Sequence, residues 1–141
     1  MSLERFVDAQ DDDDTYERAL AEVRAGRKVT HWMWFVFPQL EALGHSSTAK
    51  YFGIVDLAEA QSYLAHPVLG TRLRECAAAA ADIEPGRIEE AFGPIDTMKL
   101  RSSMTLFEAA GPDEPTFSAV LDTHFEGNRD QSTLTLLADE R

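Results

Sequence analysis

At 141 residues the chain is the size of one ordinary domain; it is 44% hydrophobic and carries 25 acidic against 13 basic residues, a formal net charge of −12. That apolar content excludes a disordered chain, and the negative charge repels phosphate backbones and anionic lipid, which sets nucleic acid and membranes aside as partners. The single cysteine excludes an internal disulfide, and the start MSLERFVDAQ has neither a basic nor a hydrophobic stretch, so a cytoplasmic protein without a secretory signal is expected.

In chain order, the aspartate run Asp11 to Asp14 leads into the first predicted helix. Asp14 and Glu17 have the spacing of a capping box, Tyr16, Ala19, Leu20 and Val23 make one apolar face, and Gly26 stops the helix. The run lacks the spaced ligands of a calcium loop and reads as a solvated helix entry. From Lys28 to Leu40, KVTHWMWFVFPQL then collects both tryptophans and a histidine. Continuous apolarity calls for burial on all sides, while His31, Trp32, Trp34 and Gln39 each bring a polar group that needs a partner. Strand and buried helix look alike over Val29 to Phe37, and Pro38 ends the segment either way.

Gly44 to Ser47 is expected as a loop, after which Asp56 and Glu59 open a capped helix through Leu57, Ala60 and Leu64. His66 and Pro67 separate it from the next, whose inner stripe is Leu69, Leu73, Cys76 and Ala80; Cys76 is thus a small core residue. Breaks at Pro85-Gly86 and Gly93-Pro94 isolate a short helix over Ile88 to Phe92. Asp96 is expected to cap a helix from Thr97 to Ala110, ended by Gly111 and Pro112. Phe117, Val120, Leu121 and Phe125 mark another helix, Glu126 to Arg129 a turn, and Asp130 caps a last one along Leu134, Leu137 and Ala138. The sum is a compact, mainly α single domain over residues 1–141, with five or six helices and at most one short strand.

On the helix after Asp96, a spacing of 100° per residue puts Arg101, Thr105 and Glu108 on the solvated stripe and Lys99, Ser102 and Ser103 in a wide buried arc. A buried lysine needs a partner, so Lys99 either pairs with Asp96 three residues earlier or lines a polar pocket with the two serine hydroxyls. The four histidines fall in no paired-ligand spacing, no serine has a nucleophile-elbow context, and no glycine-rich phosphate loop exists; neither metal nor cofactor is expected. His31, in its aromatic bed, is the acid/base candidate, grouped with Lys99 and Ser103 as a candidate catalytic set; His66 before Pro67 fits a helix boundary better than a base.

The blocks RFVDAQ, GRKVTHWMWFVFPQLEALG, EAQSYLAHPVLGTRL, FGPIDTMKLRSSMTLFEAA and FEGNRDQSTLTLL, in that order, resemble the signature blocks of the bacterial domain-of-unknown-function family eighteen-ten, over nearly the whole chain. The resemblance implies a single, mainly α-helical domain of an uncommon fold and no established activity. It supplies no catalytic residues, although its blocks include Lys28, His31, Gln39, His66, Arg72, Asp96, Lys99, Ser102 and Ser103.

Two function classes are left. In the first, a small-molecule site that is enzymatic or merely binding, Trp32, Trp34 and Tyr51 form a flat wall for a ring. Lys28, Arg72 and Lys99 hold an anionic group, with Gln39, His66, Asp96 and Ser102 around it, as suits a nucleotide-like or ADP-ribose-like ligand. In the second, a regulatory module without catalysis, the same aromatics are core and the acidic surface meets a protein partner. Convergence of His31, Lys99 and Ser103 on one concave surface separates the two.

Overall fold

Residues spaced to bury one helical face do bury it, and among the described residues the layers are helix packed on helix. The computed structural model describes residues 2–140; it is 70% helical, and the described residues form no sheet. Its helices are α1 (Glu4–Asp11), α2 (Thr15–Ala25), α3 (Met33–Val36), α4 (Ser47–Tyr51), α5 (Leu57–Ala65), α6 (Leu69–Ala81), α7 (Ile88–Phe92), α8 (Pro94–Ala110), α9 (Pro115–His124) and α10 (Gln131–Asp139). These exceed the five or six expected, because α3 and α4 are single turns too short to show a period and α1 buries the polar Arg5 and Gln10 beside Phe6 on its inner face. The β structure among the described residues is one parallel bridge between Leu40 and Ile54.

The centre is α6 packed on α9, α5 and α2, with α8 laid across α5, α9, α7 and α10. Tyr16, Ala19, Leu20 and Val23 of α2 and Leu69, Leu73, Cys76 and Ala80 of α6 are all buried, as their spacing requires. Burial pushes the Cys76 thiol up to about 12, which leaves it a small apolar core group. Gly26 ends α2 in the left-handed conformation, donating its amide to the carbonyl oxygens of Glu22 and Val23.

The tryptophan segment is neither strand nor long helix. It makes the single turn α3, whose cap Trp32 is 0% exposed and packs edge-on against Phe92. The carboxylate of Glu22 holds the approach to it, accepting the amides of Val29 (2.8 Å) and Thr30 (3.0 Å), the Thr30 hydroxyl (2.7 Å) and the Trp32 indole N–H (2.9 Å). Burial alone would push that carboxyl up, but the bonds from Thr30, Val29 and Trp32 outweigh it and hold it at about 2.

Four local expectations are corrected. Asp14 does not cap α2: Asp13 and Asp14 are both left-handed (φ 52° and 55°), so the run is a tight link between α1 and α2, and Asp14 makes no side-chain cap. Residue Ser47 leaves the expected loop to begin α4, with Ser46 accepting the Ala49 amide as its cap. Helix α8 starts at Pro94, so Asp96 lies in its first turn instead of capping it. On α10 the buried residues are Thr133 and Leu137, with Leu134 and Ala138 exposed.

The predicted solvated stripe of α8 is turned inward. Thr105 is buried and Arg101 and Glu108 half-buried, because the 125–130 turn and α10 fold over them. There the Asp130 amide donates to Thr105 Oγ1 (2.9 Å), Arg101 Nη2 donates to the Arg129 carbonyl (3.2 Å), and Arg129 pairs with Glu108. In exchange, Ile95 and Met98 stand 69% and 71% exposed.

Candidate functional site

Lys28, on the link between α2 and α3, is anchored by its own backbone, whose amide donates to the Ala91 carbonyl of α7 (2.8 Å). Its ammonium donates to the Thr30 carbonyl (2.7 Å), lies 2.9 Å from Asp96 Oδ2 and stands 4.9 Å above the Trp32 ring. Asp96 Oδ1 is 4.0 Å from the ammonium of Lys99, which in turn covers the Trp34 ring at 5.3 Å. One carboxylate therefore serves two lysines, each lying over one indole. The nearer lysine is well buried and the farther one reaches a groove.

That groove holds about 310 Å³ between α8, the start of α10 and the loop after α3. Lys99, Arg101 and Ser102 give its α8 wall, Asp130 and Ser132 the facing wall, Gln39 one end, and Leu43, Ile95 and Met98 an aliphatic rim. An adjoining hollow of about 10 Å³, bounded by Trp34, Gln39 and Lys99 among others, holds no more than one water. Seven arginines, Arg5, Arg18, Arg24, Arg72, Arg74, Arg87 and Arg129, lie within ion-pair distance of a carboxylate. Arg101 differs. Like the exposed Arg27 it pairs with no carboxylate among the described residues, but it is half-buried, with its Nη2 donating to the Arg129 carbonyl (3.2 Å) and its Nε buried without a hydrogen-bond partner.

Of the residues singled out in the sequence, Lys28, Trp32, Trp34, Gln39, Asp96, Lys99 and Ser102 come together here. The remainder do not. His31 is exposed, immediately before the buried Trp32, and lines none of the described cavities, so its aromatic bed is absent. Ser103 is 0% exposed with an unpartnered hydroxyl, one residue round the helix from the groove. The candidate set His31, Lys99 and Ser103 thus does not converge. Tyr51 packs on Phe52 beside a separate hollow with Arg5, and Arg72 binds Asp11 (2.8 Å) and Gln10 (3.2 Å) and covers Tyr16. His66 is the helix boundary its Pro67 neighbour suggests: its Nδ1 accepts the amides of Val68 (3.1 Å) and Leu69 (3.2 Å) ahead of α6. Trp34 is half-buried and only Trp32 is core, so no continuous indole wall exists.

Arg101, Asp130, Ser132, Ile95 and Met98 were not among the sequence candidates. The signal for them was two exposed-side apolar residues, Ile95 and Met98, at i and i+3 beside Lys99. A larger concavity, about 640 Å³ between the ends of α2 and α6 and the start of α7, is a poorer candidate. Both of its arginines are already paired, Arg24 with Glu75 and Arg87 with Glu90, and its further acids Asp82 and Glu84 leave it negative. Among the described residues no cluster of His, Cys, Asp and Glu could hold a metal ion, and no helix is long and apolar enough to cross a membrane.

The comparisons with known proteins agree with the geometry in naming no chemistry. No curated protein matches the chain. The crystal structure of a conserved hypothetical protein of Mycobacterium tuberculosis, Rv1873, superposes with a TM-score of 0.92 at 49% identity, over 96% of each chain. The family model described as protein of unknown function (DUF1810) matches residues 1–137, through α1 and up to the buried Leu137 of α10. Every residue that lines the groove lies inside that match, and the chain belongs to this family.

Proposed function

We propose that the groove between α8 and α10 binds a small organic anion, with Arg101 and Lys99 taking the charge and Ser132 and Gln39 hydrogen-bonding around it. The observation that carries this is the state of Arg101: a half-buried guanidinium with a buried, unpartnered Nε, in a chain where acids outnumber bases by 25 to 13. Its Nη2 is held by the Arg129 carbonyl, an uncharged partner, so the positive charge is left without a counter-charge among the described residues. Lys99 adds to the local field, since Asp96 is already committed to Lys28 at 2.9 Å and faces Lys99 only at 4.0 Å.

The site is one of binding. His31 and Ser103 lie outside the groove, and Lys99 alone does not make an acid/base pair. A volume of about 310 Å³ stands at the small end of ligand sites, which span ~300–1,000 Å³. Thermal unfolding in the presence of small carboxylates and phosphates tests the proposal. A ligand at 100 times its dissociation constant adds about 2.7 kcal/mol to stability. Arg101→Met should abolish that gain with little change in the unliganded fold; a gain that survives in this variant would place the anion elsewhere.

A further inference from the structure

We infer that the groove is built for a zwitterion, an α-amino acid with an aliphatic side chain; this rests on the anion site proposed above and names its ligand class. The juxtaposition behind it is that Arg101 and Asp130 line one groove from facing helices and form no ion pair with each other. Opposite charges that share a groove without closing on each other are satisfied together by a ligand that carries both signs.

Asp130 is equipped for its part. Its Oδ2 is spent on the first turn of α10, accepting the Thr133 amide (3.0 Å) and hydroxyl (2.7 Å), whereas its Oδ1 has no partner among the described residues. A carboxylate oxygen left free in a groove that Lys99 and Arg101 also line, yet bonded to neither, is placed to accept from a ligand ammonium. Arg101, with Lys99 beside it, takes the ligand carboxylate on the α8 wall.

The remaining surface selects the side chain. Neither indole lines the groove: Lys99 lies over one face of Trp34 at 5.3 Å, and Trp32 is 0% exposed with its N–H on Glu22. The apolar lining is instead Leu43, Ile95 and Met98, flexible aliphatic groups of which the last two are mostly exposed, a surface that covers a branched or thioether side chain better than a flat base. A nucleotide base therefore finds no aromatic partner in the lining of this groove.

The experiment is calorimetric titration of the full chain with L-leucine, 4-methylpentanoate (the same skeleton without the ammonium), isopentylamine (without the carboxylate), adenosine monophosphate and inorganic phosphate. Leucine should bind, and 4-methylpentanoate and isopentylamine should each bind about tenfold or more weakly. In Asp130→Asn, which keeps an N-cap side chain, leucine should fall to the affinity of 4-methylpentanoate. If 4-methylpentanoate matches leucine on the unaltered chain, or adenosine monophosphate or phosphate binds tighter than leucine, the amino-acid assignment is overturned while the anion site stands. If none of the five binds at millimolar concentration, or leucine binding persists unchanged in Arg101→Met, both fall. Should Asp130→Asn fail to fold by circular dichroism, the comparison of leucine with its two half-analogues decides alone.

Discussion

Lys28 and Asp96 meet at 2.9 Å across the seam between the α2–α3 link and the first turn of α8, and the lysine side chain is only 8% exposed. Lys99, three residues along from Asp96, is the looser partner at 4.0 Å and 27% exposed. The two lysines should therefore respond in opposite ways to loss of charge. Lys28→Met strands a largely buried carboxylate and should cost about 2–4 kcal/mol, whereas Lys99→Met should stay within about 1 kcal/mol of the unaltered chain. Chemical denaturation of both variants decides it, and equal losses would show Asp96 to be shared evenly.

The two tryptophans should separate just as clearly. Trp32 is fully buried, edge-on to Phe92 and tilted against Phe37, so Trp32→Ala should cost about 3–5 kcal/mol and leave a barely folded chain. Trp34 is half-buried and its main partner is the Lys99 ammonium; Trp34→Ala should cost only about 1–2 kcal/mol. Fluorescence of the unaltered chain gives a second check, since iodide should quench Trp34 before Trp32.

Acid sensitivity should trace to Glu22. Its carboxyl is held at about 2 against an ordinary 4.5, so the folded state favours the ionised form more than the unfolded one does. That contribution is complete above pH 4.5 and is lost as pH falls from there toward 2. Glu22→Gln should lower stability at neutral pH by about 1–3 kcal/mol and flatten the acid limb over that window. Urea denaturation at a series of pH values measures both; an unchanged acid limb would mean that other carboxylates carry it.

Gly70 should tolerate no side chain. A Cβ there would stand 2.1 Å from the Leu64 carbonyl oxygen, because the start of α6 crosses against the end of α5 backbone to backbone. The Gly70 amide also donates to the His66 carbonyl at 2.9 Å, which fixes the corner. Gly70→Ala should lose about 1–3 kcal/mol through forced displacement of the two helices, read as a lowered denaturation midpoint, despite the usual preference for alanine in a helix.

How much of this was legible in the chain depends on whether a residue's partner is local. The α2 and α6 stripes, the bounds of α7, the Gly26 stop and the Asp56 and Asp130 caps were readable because 3.6-residue periodicity and capping act within one or two turns. Asp14 misled because two successive left-handed aspartates link α1 directly to α2, and propensity does not reveal such a corner. The α8 stripe misled for a different reason. Arg101, Thr105 and Glu108 are polar and correctly share a face, but that face is covered by residues from 125 onward, a tertiary event no local pattern encodes. Lys99 and Ser102 were found as buried polar anomalies on a helix; Asp130 was seen only as a cap, since its second oxygen has a meaning only once α10 stands opposite Arg101.

The dependence of the groove on α10 gives it a lifetime of its own. This helix contributes just Thr133 and Leu137 to the buried interior, so it is the lightest anchor among the long helices and should detach in sub-global openings that leave the α5, α6, α8 and α9 packing intact. Each such opening carries Asp130 and Ser132 away from Arg101 and erases one wall while the domain remains folded. Hydrogen exchange at the α10 amides is consequently a direct clock for how often the site exists, independent of how stable the rest of the molecule is.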